Sequence, residues 1–190
     1  MTLLPRETRL PGVRHVGTRV LHFDAVASTN DVAATQAADP AHAGTVVVAG
    51  HQTAGRGQYG RTWASLLMSV ALSPPPTLRR PVLLTAWAAV AVAAAAESLA
   101  GVSPRVKWPN DLLVNGKKVC GILIEQGRGL VVGVGLNLTQ TAAEFAAAGL
   151  PDATSLELAS GRPVSADAAL EAVVRQLDDR YARLLDGLFA

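Results

Sequence analysis

The Asn115-Gly116 pair most narrows the folds open to this chain, because it stands between LLV and KKVCGILIEQ, two segments rich in branched aliphatic residues. An Asn-Gly pair readily takes the left-handed conformations of a two-residue hairpin turn, so the flanking segments are expected to pair antiparallel. A second turn, Gly127-Arg128-Gly129, sends the chain back into LVVGVGLNL over 130–138. Strands read in the same way at 18–26, 45–52 and 66–73, and a short one from Val106 to Trp108 enters the hairpin through Pro109-Asn110-Asp111. Helices interrupt them from Ser28 to Ala38, from Val82 to about Leu99, from Thr141 to Gly149, and from Ser165 onward. Ser28 with Asp31 and Thr141 with Glu144 have capping-box spacing, and Leu170, Val173, Val174, Leu177, Tyr181, Leu184, Leu185 and Leu188 share one face of the last helix. The order is neither alternating βαβ nor all-β. It predicts an α+β domain with a mixed, largely antiparallel central sheet backed by helices.

A chain of 190 residues, 49% hydrophobic, suits a single core. The expected division is a tail over 1–17 and one domain over 18–190. Net charge is +2, and the 14 arginines and three lysines are spread along the chain, which argues against nucleic acid as a partner. Arg6, Arg9, Arg14, His15 and Arg19 do cluster, but in a stretch broken by proline and glycine, and a loose solvated tail is expected there. The single cysteine, Cys120, excludes a disulfide framework and a cysteine-rich metal site, so a reducing, cytoplasmic setting is expected. No signal pattern opens the chain. The most apolar run, 82–96, is shorter than the ~20 residues that span a bilayer and ends at Glu97, so it reads as a buried helix and no membrane role is expected.

Residues 53–63, TAGRGQYGRTW, hold Gly55-x-Gly57-x-x-Gly60, the spacing of a dinucleotide-binding turn. That reading needs a helix starting on the glycines and an acid about 20 residues later. Here a strand follows, and no Asp or Glu occurs between Asp39 and Glu97. The Gly-Lys-Ser/Thr ending of a P-loop is also missing. What remains is a loop with three glycines, Arg56 and Arg61, and Trp63. Its backbone can curl into an anion nest with forked donors beside it, or it can be a hairpin tip with solvated arginines; the loop alone favours neither. Lys107 is more telling. It lies in an otherwise apolar strand beside Trp108, where lysine is seldom buried without an anionic partner. The reading preferred here is a pocket lysine; the plainer one is an edge-strand lysine facing water. Pro109-Asn110-Asp111 also has a plain reading as turn chemistry.

Taken together, STN (28–30), QTAGRGQYGRTW (52–63), KWPNDLLVNGKKVCGILIE (107–125) and VVGVGLNL (131–138) resemble, in order and spacing, the biotin protein ligase family. The resemblance runs from about Phe23 to the last helix. It implies a mixed sheet backed by helices and related to class II aminoacyl-tRNA synthetases. It also implies an enzyme that joins biotin to the α-phosphorus of MgATP, giving biotinyl-5'-AMP and pyrophosphate, and then passes biotin to a lysine of a biotin carrier protein of the acetyl-CoA carboxylase type. By the same resemblance Ser28, Thr29, Asn30 and Gln52 lie at biotin, and Gly55, Arg56 and Gly57 fold over the adenylate. Gln58, Arg61, Trp63, Asn110 and Asn137 fall at the nucleotide. Lys107 lies against both carboxylate and α-phosphate, Arg56 assists it catalytically, and Gly121, Gly133 and Gly135 let ligand approach the backbone. No protein metal site is implied. Cys120 reads as a core residue, since two anions held by fixed cations need no side-chain nucleophile.

Three departures from the family pattern stand out. Gln58 replaces an arginine of many members, which predicts weaker retention of biotinyl-5'-AMP than in a Gln58→Arg variant. The turn between Trp63 and the next strand is short. Neither a winged-helix domain nor the usual small C-terminal β domain is expected, which disfavours a repressor. A lipoate- or octanoate-transferring relative and a non-catalytic biotin or nucleotide binder are the alternatives. Sheet edges left open are surfaces on which a homodimer could form.

Overall fold

Antiparallel pairing spreads outward from the hairpin, whose turn carries Asn115 and Gly116 at φ of 52° and 78°. The computed structural model describes residues 4–54, 65–127 and 129–187. Among these, eight strands form one sheet: β1 (Arg6–Thr8), β2 (Arg19–Val26), β3 (Thr45–Gln52), β4 (Ser65–Leu72), β5 (Arg105–Lys107), β6 (Asp111–Val114), β7 (Lys117–Gln126) and β8 (Leu130–Asn137). Their order is β1-β2-β3-β4-β8-β7-β6-β5, with β2 and β3 parallel and every other pair antiparallel. The helices are α1 (Thr29–Ala37), α2 (Pro81–Ala100), α3 (Ala142–Ala147), α4 (Leu156–Ser160) and α5 (Ala166–Leu185). The α+β architecture agrees with the expectation.

Alternation along the strands gives the sheet two unlike faces. One carries Met68, Val70, Val132, Val134, Ile122 and Leu112, buried against α2 and α5. Between those helices Trp87 donates its indole N–H to the Leu177 carbonyl at 3.2 Å and packs against Tyr181 with ring centroids 5.4 Å apart. The 20 residues of α2 exceed the 15-residue run read from sequence and would by length and composition pass for a membrane span. Burial of Leu84, Trp87, Ala88, Ala91, Val92 and Ala95 in the core accounts for that composition. On α5 the predicted face is buried from Leu170 to Leu184, but Leu185 is exposed and Leu188 lies outside the described residues. The other sheet face, among the described residues, is covered only in part. There α1 packs on Leu21, Val47, Ala71 and Val131.

The N-terminal stretch is not a loose tail. Arg6–Thr8 adds an edge strand to β2, Arg19 pairs with Glu7 at 3.0 Å, and Val16 is fully buried. The backbone N–H groups of Arg14, His15 and Val16 all donate to the carboxylate of Asp178 on α5, at 2.6–3.1 Å. Charge density suggested solvation, but a buried acid waiting on α5 supplies the partner. The capping expectations divide: Thr141 and Glu144 form their box, whereas Ser28 is the N-cap of α1 without a side-chain cap bond.

Candidate functional site

The partly covered face gathers most of the described site residues. At the start of α1, Ser28, Thr29 and Asn30 are all buried. The first amides of a helix have no partner within it. Here Gln52, at the end of β3, does what Ser28 does not: its Oε1 accepts from the Thr29 N–H at 2.6 Å and from the Thr29 hydroxyl at 3.1 Å. Ser69 of β4 lies with its Oγ 2.7 Å from Thr29 Oγ1 and 2.5 Å from Asn30 Oδ1. Asn30 then donates through Nδ2 to Glu125 on β7 at 2.5 Å. Both ends of its amide are thus spent within the protein, so Asn30 locks the helix start to two strands. Gly133 makes room for it, since a Cβ there would stand 2.4 Å from Asn30 Oδ1.

Beside this network a row of residues runs across the sheet to its edge. Leu67, Gly135, Gly121, Asp111 and Lys107 are successive partners across β4, β8, β7, β6 and β5, so they form one row on one face. The two glycines in that row leave a trough with backbone at its floor, and a Cβ on Gly135 would meet nothing closer than 3.9 Å. Lys107 ends the row on the edge strand and is exposed, as is Trp108. The expectation of a lysine embedded in an apolar strand is corrected on this point: β5 is three residues long and lies at the sheet edge, so Lys107 needs no buried partner. It nevertheless stands on the site face. Asp111, its register partner, is ion-paired with Lys118 Nζ at 2.7 Å.

Asn110 and Asn137 sit at opposite margins of the face. Asn110 donates to the Ile122 carbonyl at 3.2 Å and holds the corner after the cis Trp108–Pro109 peptide against β7. Asn137 donates to the Thr154 carbonyl at 2.9 Å. Gly55, Arg56, Gly57, Gln58, Arg61 and Trp63, together with the turn after Trp63, lie outside the described residues. Cys120 points to the opposite, α2 side, and burial pushes its thiol up to about 12, which removes it as a nucleophile. Among the described residues no group of His, Cys, Asp and Glu could hold a metal ion. Sequence reasoning missed Ser69, Glu125, Asp111 and Lys118 as members of the site. A serine inside the apolar run LLMSVAL and a lone acid ending GILIE were the available signals.

Residues 23–137 match the model of the biotin/lipoate A/B protein ligase family. The chain belongs to this family. Over 177 residues it is 37% identical to the bifunctional ligase/repressor BirA of Bacillus spizizenii, covering 87% of this chain and 54% of that one. Over 140 residues it is 40% identical to the biotin--[acetyl-CoA-carboxylase] ligase of Mycobacterium tuberculosis, covering 68% and 51%. It therefore spans about half the length of these curated relatives. Among solved structures, the biotin protein ligase from Aquifex aeolicus in complex with biotin and ATP has a TM-score of 0.72 at 28% identity, covering 87% of this chain and 71% of that chain. The biotin protein ligase from Leishmania major in complex with biotinyl-5-AMP has a TM-score of 0.67 at 26% identity, covering 86% and 75%.

Proposed function

We propose that this family member is an ATP-dependent biotin protein ligase. The observation that carries the reading is the convergence, on one sheet face, of a buried polar helix start, a glycine trough and the lysine that ends its row. A ring system with its own N–H and C=O groups suits the polar helix start at Thr29 and Gln52, and the trough lets a chain that ends in a carboxylate run along backbone toward Lys107. Relatives at 37% and 40% identity bear ligase names, and neighbours of the same fold were solved with biotin, ATP and biotinyl-5-AMP.

In the first step a biotin carboxylate oxygen bonds to the α-phosphorus of ATP and the bond to pyrophosphate breaks. In the second, the amine of a carrier lysine attacks the acyl carbon, an amide forms, and AMP leaves with loss of one proton. Both steps crowd negative oxygens together. Fixed cations lower that repulsion, and Lys107 is assigned this role, with Arg56 of the glycine loop by resemblance. Gly55, Gly57, Gln58, Arg61, Trp63, Asn110 and Asn137 are assigned to the adenylate on the same ground. Mg2+ enters with the triphosphate, whose oxygens supply its ligands. The acceptor is a biotin carrier domain of the acetyl-CoA carboxylase type, and the single buried cysteine supports a cytoplasmic setting.

Biotin-dependent exchange of labelled pyrophosphate into ATP tests the first step. The family itself spans biotin and lipoate ligases, so lipoate is the second substrate to try. Exchange with biotin and none with lipoate is expected; the reverse would transfer the chain to the lipoate branch.

A further inference from the structure

Just beyond β8 one buried side chain is only half satisfied. Gln140 is 2% exposed, and its Oε1 is buried with no hydrogen-bond partner among the described residues. A buried amide carbonyl without a donor costs stability, and an apolar side chain of like volume would avoid that cost. The other end of the amide is spent. Its Nε2 donates to the hydroxyl of Ser65 at the start of β4, while the Gln140 backbone carbonyl accepts from the Ser155 hydroxyl at 2.7 Å. Ser65 and Asn137 are register partners, two residues along from the Leu67–Gly135 pair and four from Ser69–Gly133, so they share the site face. Ser65 Oγ lies 3.4 Å from Asn137 Oδ1, and Asn137 Nδ2 donates to the Thr154 carbonyl at 2.9 Å.

We infer that Gln140 is a positioning residue for Asn137: through Ser65 it fixes which end of the Asn137 amide points where, and thereby which nucleobase the site selects. A hydroxyl has one proton to give. Because Gln140 donates to Ser65, that proton is free for Asn137 Oδ1, and with the Thr154 carbonyl at the other end the Asn137 amide is held in one of its two orientations. It keeps one lone pair on Oδ1 and one N–H on Nδ2. An acceptor and a donor in fixed order match the N6–H and N7 edge of adenine, whereas guanine offers the acceptor O6 where adenine offers N6–H. An amide free to turn over could give an N–H to O6 and would discriminate less. The orphaned carbonyl belongs to the same geometry: turned over, the Gln140 amide would become the acceptor and take the Ser65 proton away from Asn137. The inference rests on the reading that assigns Asn137 to the nucleotide.

Calorimetry at saturating biotin with the α,β-methylene analogues of ATP and GTP reads binding without turnover, because the bond to pyrophosphate cannot break. Wild type is expected to favour the ATP analogue by roughly tenfold or more, as for one bidentate base contact. Gln140→Met keeps the volume and removes the orphaned carbonyl, so its Tm should equal or exceed that of wild type while the preference falls by about fivefold or more. Ser65→Ala should lose as much, and Gln140→Met should add nothing in that background, since it acts through Ser65. Ser65→Thr keeps the hydroxyl and should stay within about twofold of wild type. If Gln140→Met does not fold, the two Ser65 variants decide alone. An unchanged preference in Gln140→Met or in Ser65→Ala, equal losses in the alanine and threonine variants, additive losses in the double variant, or a wild type without preference would each overturn the inference. A wild-type protein that shows the preference but exchanges no pyrophosphate would overturn the ligase reading alone, and the Gln140 comparison would still stand. A wild-type protein that binds neither analogue would overturn both.

Discussion

Gly133 and Gly135 are two residues apart on one strand, yet they are glycine for different reasons. At Gly133 the obstacle is protein: a methyl group would meet Asn30 Oδ1 at 2.4 Å. Gly133→Ala should therefore destabilise the fold by about 1–3 kcal/mol, as overpacking does, with a lower urea midpoint. At Gly135 there is space for a methyl group, so Gly135→Ala should keep its midpoint and lose biotin affinity, because the methyl fills the trough. Equal stability losses in both would contradict the assignment. Cys120 gives a third outcome. Its thiol, raised to about 12 by burial, should resist alkylation in the native protein at about pH 8, and Cys120→Ala should exchange pyrophosphate at a rate within about threefold of wild type. Residue identities in the KWPND and GILIE blocks were legible from sequence, whereas the partners of Asn30 were not. Ser69 and Glu125 come from strands 39 and 95 residues away, and only the folded sheet brings them to it.

At the level of elements, the N-terminal segment shows what composition conceals. Five basic groups suggested a solvated stretch, but Asp178 gathers three backbone N–H groups and ties residues 14–16 to α5. Asp178→Ala should cost about 3 kcal/mol, or roughly 6–12 °C in Tm, by leaving those donors unpaired. A change under about 2 °C would favour the tail reading after all. The first edge strand has a pH dependence of its own. Burial, and secondarily the charge of Arg6, hold His22 below its ordinary value of 6.5, while Asp167 acts the other way; the Nε2 of His22 lies 2.8 Å from the Thr8 hydroxyl. The native state thus prefers the neutral ring more than the unfolded chain does. The resulting stability is present above pH 6.5 and is lost as pH falls through the lowered native value. Between about pH 7.5 and 5 the urea midpoint of wild type should fall more steeply than that of His22→Gln. Parallel slopes would show that His22 plays no part. Strands and long helices were readable from alternation and caps, while α4, five residues long, and the three-residue β1 are too short for a periodic signal.

For the whole molecule, sheet order determines which residues can cooperate. The β2-α1-β3 crossover sets a helix N-terminus over the middle of the sheet, and the antiparallel run from β4 to β5 brings the glycines and Lys107 into one row beside it. The largely antiparallel α+β class follows from turns and patterning, but the row depends on a register that the sequence does not display. The edge-strand alternative for Lys107 is the one the structure bears out, and it could not be preferred from sequence because nothing in a strand's residues says that it will lie at an edge. In the proposed function this face makes and transfers an acyl-adenylate, with Lys107 essential to it. The most direct test incubates wild type and Lys107→Ala with biotin, MgATP and a biotin carrier domain, and reads the intact mass of the carrier. One added biotinyl group is expected with wild type and none with Lys107→Ala, whose circular dichroism stays native. An unmodified carrier with wild type, or equal modification by the variant, would contradict it.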